Sequence, residues 1–169
     1  ELGTLIHGAD ILAKVGAHDK AILECEKVLE RDPGNLQAHL IFAWSRDRLG
    51  DYAESLDHYQ TALEIANTQG FPDLVQEIFL TIADLHRRHE HLELSLYWCT
   101  AFERFHGCSS RCTLIRALTM QALGEEDEAI ELFREAVHQG PDETLPRYFL
   151  GVACREAGLL AEAQAAFLE

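Results

Sequence analysis

Much that would point to a reaction or a membrane is missing from this chain of 169 residues. No apolar run approaches the roughly 18 residues that a spanning helix needs, so no membrane segment is expected. Basic residues are scarce, with 14 Lys and Arg against 29 Asp and Glu and a net charge of -15. That is the wrong sign for neutralising phosphates, and nucleic acid is excluded as an expected partner. A glycine-rich phosphate loop, a metalloprotease helix and a nucleophile elbow are all absent. Carboxylate pairs abound, but on helix faces where two acids are merely solvated. No catalytic residue, enzyme activity or cofactor is therefore expected.

Cysteines number five, an odd count, and no C-x2-C pair occurs among them. Three of them, Cys25, Cys99 and Cys154, fall on apolar stripes and behave as small hydrophobes, which favours a reducing, cytoplasmic setting. Cys108 and Cys112 fall in the stretch from His106 to Cys112, expected as a loop, with His86, His89 and His91 upstream. That density raises zinc as a question, but the spacing fits no standard finger, and no metal ligand is assigned.

What is present is a spacing. Val15-Gly16, Leu49-Gly50, His89-Glu90, Leu123-Gly124 and Ala157-Gly158 follow one another at offsets of 34, 40, 34 and 34 residues. Seven residues before each second member stands a small residue: Ala9, Ala43, Ala83, Ala117 and Gly151. Five residues after it stands another: Ala21, Ser55, Ser95, Ala129 and Ala163. Small side chains at one fixed place in each of two helices let their axes approach, so each copy is expected to be a helical hairpin. A buried stripe follows on the second helix, through Cys25, Tyr59, Cys99, Phe133 and Phe167, then Val28, Ala62, Phe102 and Ala136.

Asp32-Pro33-Gly34-Asn35 and Gly140-Pro141-Asp142 should end second helices, proline by refusing the helix and glycine by taking a left-handed cap. The third junction, between Phe105 and Ser110, uses Gly107. Extra residues around Asn67 to Asp73 account for the offset of 40, and are expected to lengthen a loop.

With this period and these residues the chain resembles the tetratricopeptide repeat family. The fourth unit carries Ala117, Leu123-Gly124, Glu128-Ala129, Phe133, Ala136 and Pro141, and the second carries Ala43, Leu49-Gly50-Asp51-Tyr52, Tyr59 and Ala62-Leu63. Arg46 and His86 replace an aromatic, Arg116 and Gly8 replace leucine, and His39 replaces tryptophan. The resemblance implies an all-α, right-handed superhelical solenoid of antiparallel helix-turn-helix hairpins. A single array over 1–169 is expected, with units at 2–35, 36–69, 76–109, 110–143 and 144–169 and an insertion at 70–75. The chain begins without methionine and stops in mid-helix at Ala166-Phe167-Leu168-Glu169, so it is expected to be a fragment whose capping helix lies downstream.

In this family the first helix of each unit lines a concave wall along which peptides commonly lie. Transferred to this sequence, that wall has three rows: Ile6, Leu40, Leu80, Leu114 and Tyr148; His7, Ile41, Thr81, Ile115 and Phe149; and Asp10, Trp44, Asp84, Leu118 and Val152. These positions stand two or three residues from the core-facing small residue, yet are mostly apolar, as in a binding strip. Lys14, Arg48, Arg87, Arg88, Arg111 and Arg155 flank it, with Asp47 and Glu77 interspersed. Trp44 with Arg48 one turn later is the foremost anchor pair. The competing interpretation is that apolar members such as Leu40, Leu80 and Leu114 pack between units, or that a second copy or flanking chain covers the strip.

The expected function is a non-catalytic scaffold, adaptor or co-chaperone binding an amphipathic helix or apolar peptide, with self-association left open. The alternative is a regulatory or oligomerisation module of a larger enzyme or transcriptional regulator. The Lys and Asn clamp of members that grip chaperone C-termini is replaced by His7, Asp10, Ile41, Trp44, Leu80 and Asp84, so such tails are not expected ligands. Acidic residues on second helices, such as Glu24, Glu26, Glu30, Glu128 and Glu131, form a solvated outer face.

Overall fold

The computed structural model describes residues 1–168, and among these all regular structure is helical. Ten helices follow in pairs: α1 Leu2–Lys14 with α2 His18–Leu29, α3 Leu36–Arg48 with α4 Tyr52–Gln69, α5 Pro72–Arg88 with α6 Leu92–His106, α7 Ser110–Leu123 with α8 Glu126–Gln139, and α9 Thr144–Glu156 with α10 Leu160–Leu168. Contacts group these into two compact units, 1–85 and 86–169, with the division falling inside α5.

The repeated turn has one physical design. At each of the five positions the backbone adopts positive φ: Gly16, Gly50, Gly124 and Gly158 between 79° and 83°, and Glu90 at 63°. The amide one residue further on then bonds back five residues to a helical carbonyl. These bonds, Ala17 to Leu12, Asp51 to Arg46, His91 to His86, Glu125 to Met120 and Leu159 to Cys154, measure 2.8–3.0 Å. A left-handed residue thereby satisfies carbonyls that the ending helix leaves open. The degenerate copy at Glu90 follows the same geometry without glycine's freedom.

The two small residues of each hairpin are buried in every copy. In the second hairpin the Ser55 hydroxyl donates to the Ala43 carbonyl oxygen at 2.8 Å, so the small pair is tied by a hydrogen bond as well as by contact. The Ser95 hydroxyl instead meets the Thr119 hydroxyl at 3.1 Å and so links α6 to α7 of the following hairpin. In the last hairpin a Cβ on Gly151 would fall 2.6 Å from the Phe167 ring, so a larger residue there would displace that half-exposed ring. The stripe of the second helices is buried at Cys25, Tyr59, Cys99 and Phe133, and half exposed only at Phe167.

Polar caps start the helices that follow the stops. Asn35, Asp51 and Ser109 accept from the amides of Ala38, Glu54 and Cys112. Gly34 and Gly140, expected as left-handed caps, are not among the residues with positive φ; the proline beside each keeps the helix from continuing. The expected lengthened loop after the second hairpin is also corrected. α4 runs 18 residues to Gln69, Gly70 closes it at φ 75°, and Pro72 already opens α5. The extra residues are helix formers without a breaker before Gly70, so they lengthen two helices instead of a loop.

Each unit has its own core. In residues 1–85 a cluster joins Ala9, Ala13, Ala21, Cys25 and Val28 to Ile41 and Phe42. In residues 86–169 another joins Leu114, Ala117, Ile130 and Phe133 to Leu150 and Cys154. Arg134 closes the last two hairpins by a bidentate pair with Glu162, at 2.6 and 2.8 Å.

Three substitutions test this architecture. Glu90→Gly relieves a left-handed non-glycine residue and should stabilise by up to about 1 kcal/mol, whereas Gly124→Ala, with open space around its Cβ but the same φ, should cost about 1 kcal/mol. Urea titration checks the pair, and equal shifts of the same sign would contradict it. Ala117→Leu overpacks the hairpin contact and should cost about 1 to 3 kcal/mol; an unchanged melting temperature would contradict the close approach.

Candidate functional site

The first-helix face is best described unit by unit. In residues 1–85, α1 packs against α3. Asp10 is tied to Lys14 by a 2.7 Å ion pair, and the next member of its row, Trp44, stands 37% exposed between the buried Ala43 and Ser45. The His18 ring, at the start of α2, meets the Trp44 ring edge-on at 5.3 Å and braces it. Arg48, one turn further, is exposed, as is His7, while Ile6 and Leu40 are half-buried. This leaves an aromatic plate with an exposed cation beside it.

In residues 86–169 the face is more apolar. Leu118, Phe149 and Val152 are half-buried, Tyr148 and Arg155 are exposed, and Gln121 of α7 lies 3.5 Å from Glu156 of α9 at this end. Phe149 stacks on Phe133 at 6.1 Å and takes the edge of Tyr148 at 5.4 Å. Leu145, which the row assignment missed, is exposed one turn before Phe149. The signal was present: Leu145, Tyr148, Phe149 and Val152 have the spacing of a single helical stripe. Arg88 is exposed as well.

Four expected strip residues are not available to a ligand. Ile41, Leu80, Leu114 and Ile115 are all buried, with Ile41 in the first core cluster and Leu114 in the second beside Leu150 and Cys154. Ile41 and Leu114 pack against residues of a neighbouring hairpin, so apolar character there serves the core. Thr81 and Asp84 are half-buried.

Departures from the repeat pattern are compensated by pairing. His39, in the tryptophan position, is buried and bonded at both ring nitrogens: Nε2 donates to the Pro33 carbonyl oxygen and Nδ1 meets His58 Nδ1, each at 3.0 Å. Since the carbonyl can only accept, neutral His39 presents Nδ1 as an acceptor and His58 donates. The His58 ring also stacks on Phe42 at 3.9 Å. Burial foremost, then His39, lowers its pKa to about 4; Arg46 acts in the same sense and Asp57 opposes. Arg46 itself lies 5.2 Å over the Phe42 ring and pairs with Glu54 at 2.6 Å, and Arg116 pairs with Glu103 at 2.8 Å.

The thiols are arranged for packing. Cys112, expected in a loop, lies in the first turn of α7, because Ser109 caps that helix earlier than the residue pattern suggested. It is buried and donates toward the Cys99 carbonyl oxygen at 3.6 Å, an interaction that, with burial, pushes its thiol up. Burial, with Glu24 and Glu26 adjacent, pushes the Cys25 thiol up to about 12. Such thiols are protonated and unreactive at neutral pH. Only Cys108 is exposed. Among the described residues no three His, Cys, Asp or Glu side chains converge as a metal site, and no helix is long and apolar enough to cross a membrane.

The tetratricopeptide repeat profile matches residues 8–70 and 116–169, and the chain belongs to that family. Sequence comparison with curated proteins finds no match. Similar solved structures include MamA, residues 41 to the end, from Desulfovibrio magneticus RS-1, 14% identical over 99% of this chain and 91% of that one with a TM-score of 0.71. YrrB, described as a TPR protein with an unusual peptide-binding site, is 19% identical over 96% and 80%, with a TM-score of 0.61. PilF of Pseudomonas aeruginosa is 13% identical over 98% and 73%, with a TM-score of 0.74. At these identities the likeness concerns the fold. Proteins of this family are typically non-catalytic scaffolds for protein interaction.

The His39–His58 pair sets a pH dependence. Above the ordinary histidine value near 6.5 both states are neutral at His58 and its contribution is complete; as pH falls from there toward about 4, the unfolded chain takes up a proton that the folded one refuses. Stability should therefore drop across that window by roughly 2 kcal/mol from this ring, since solvent screening of the half-buried imidazole takes away part of the full shift. Urea midpoints measured at several pH values should show a shallower acid slope for His58→Gln than for the wild type, and parallel slopes would contradict the assignment.

Proposed function

We propose that this chain is a non-catalytic adaptor that captures an amphipathic helix or extended apolar peptide of a protein partner on its first-helix face. In residues 1–85 the anchor is Trp44 with Arg48. In residues 86–169 it is the stripe of Leu118, Tyr148, Phe149 and Val152 with Arg155 at its edge. The exposure of Trp44 carries the proposal. A tryptophan kept at the surface of a helix whose neighbours on both sides are buried, braced by His18 and flanked by a free arginine, has the make-up of an interaction hot spot. Arg48 would orient an acidic group of the partner, and the chain's net charge of -15 disfavours an acidic partner overall. The ligand is accordingly apolar with few acids. That a similar fold, YrrB, is described as having a peptide-binding site supports the same use of the scaffold.

The unpaired thiols Cys25, Cys99, Cys112 and Cys154 support residence in a reducing compartment such as the cytoplasm. Their burial, with the Cys25 and Cys112 thiols pushed up, supports reading them as packing groups rather than nucleophiles.

Panning a random peptide library on the wild-type chain should enrich apolar sequences. Trp44→Ala with Arg48→Ala should weaken them at least about tenfold while helicity is kept and melting shifts by only a few degrees. Peptides that bind the double variant equally well, or a library that yields none, would overturn the proposal.

A further inference from the structure

On their outward side the second helices α4 and α8 are mostly acidic or polar and α2 carries Lys20, Leu23 and Lys27, whereas α6 carries a continuous apolar stripe. At four equivalent outward positions α8 carries Glu128, Glu131, Glu135 and Gln139, and α4 carries Glu54, Asp57, Thr61 and Ile65. The same positions in α6 are Leu94, Tyr97, Ala101 and Phe105. Spaced by three, four and four residues, these form one helical stripe. It faces solvent: Leu94 is 45% exposed, Tyr97 67% and Phe105 73%. Water-facing aromatic side chains on a single stripe have no role in the core of their own unit. The first-helix face described above does not include them.

Charge placement says what covers the stripe. Glu93 and Arg104 are both exposed, and among the described residues neither is in an ion pair, whereas Glu103 is already held by Arg116. They lie on one flank of the stripe, at its two ends, eleven residues and so about 16 Å apart along the axis. A two-fold axis perpendicular to α6 near residue 99 would set Glu93 opposite Arg104 of a second helix, and Arg104 opposite its Glu93. The same operation sets Leu94 against Phe105 and the large Tyr97 against the small Ala101. The face is thus complementary to itself in both charge and volume, as an isologous contact requires. An anionic bilayer is a poor occupant for a chain of net charge -15.

We propose that α6 is a homodimerisation surface, on which a second copy of this chain docks its own α6 antiparallel. One helical stripe offers on the order of 400 Å² per copy, about half of what a stable interface buries on each partner. The dimer is therefore weak and concentration-dependent, and the chain's charge repels its copy at low salt.

Sedimentation equilibrium from low to high micromolar concentration, with reductant present so that Cys108 cannot cross-link copies, tests this. The weight-average mass should rise from monomer toward dimer. Tyr97→Lys with Phe105→Lys should hold it at monomer without changing helicity or melting, since both side chains are exposed. Glu93→Arg alone and Arg104→Glu alone should each weaken association at least about tenfold. Mixing these two variants, or combining both changes in one chain, restores opposite charges at each contact and should bring association back. A wild type that stays monomeric throughout, including one that instead binds vesicles or another protein through Tyr97 and Phe105, overturns the proposal. So does a dimer that survives Tyr97→Lys with Phe105→Lys, or single charge reversals without effect. None of these variants touches Trp44 or Arg48, so peptide capture stands or falls separately.

Discussion

The close approach of two helices at a pair of small residues is the constraint on which the rest depends. A hairpin whose helices meet at Ala117 and Ala129, or at Ala43 and Ser55, leaves only one width for the aromatic and aliphatic side chains that surround the contact. It also fixes the rotation of each helix. Once Ala43 faces its partner helix, Trp44 must stand on a different side and Ile41 must reach toward the preceding hairpin, as observed. The position of every candidate binding residue is therefore a consequence of where a methyl group or hydroxyl sits.

The repeat tolerates polar and charged residues at places usually apolar because each finds a partner. His39 is bonded at both nitrogens, Arg46 covers Phe42 and reaches Glu54, and Arg116 reaches Glu103. A buried polar group with its bonds made costs little, while one stripped of its partner costs the full desolvation. These substitutions consequently come as sets, and acid exposes the weakest of them at His58. Glu90 is different in kind: its turn is kept by the hydrogen bond from His91 to His86, at the expense of a backbone conformation that glycine would adopt freely.

Two sets of exposed apolar side chains stand out among those left outside the core. On first helices Trp44 and Tyr148 belong to the face proposed for peptide capture. On α6, Leu94, Tyr97 and Phe105 occupy a side that neighbouring repeats fill with acid. The separation of the two faces onto different helices of the hairpin allows one to bind a partner while the other joins copies, with no residue in common.

The sequence by itself determined the helices, their pairing and the turns, since each follows from local chemistry: a small residue at a fixed offset, a glycine able to take positive φ, a proline that cannot continue. It also placed Cys25, Cys99 and Cys154 inside. What tertiary structure decided is which apolar residues are hidden. Ile41 and Leu114 have the same character as Trp44 and Leu118, and only packing against a neighbouring hairpin separates core from surface. The residues before Gly70 likewise became helix and not loop because nothing in them stops a turn whose outer side is free to face water. Periodicity is a property of one segment, whereas burial is a property of two segments meeting, and that meeting is not written in either alone.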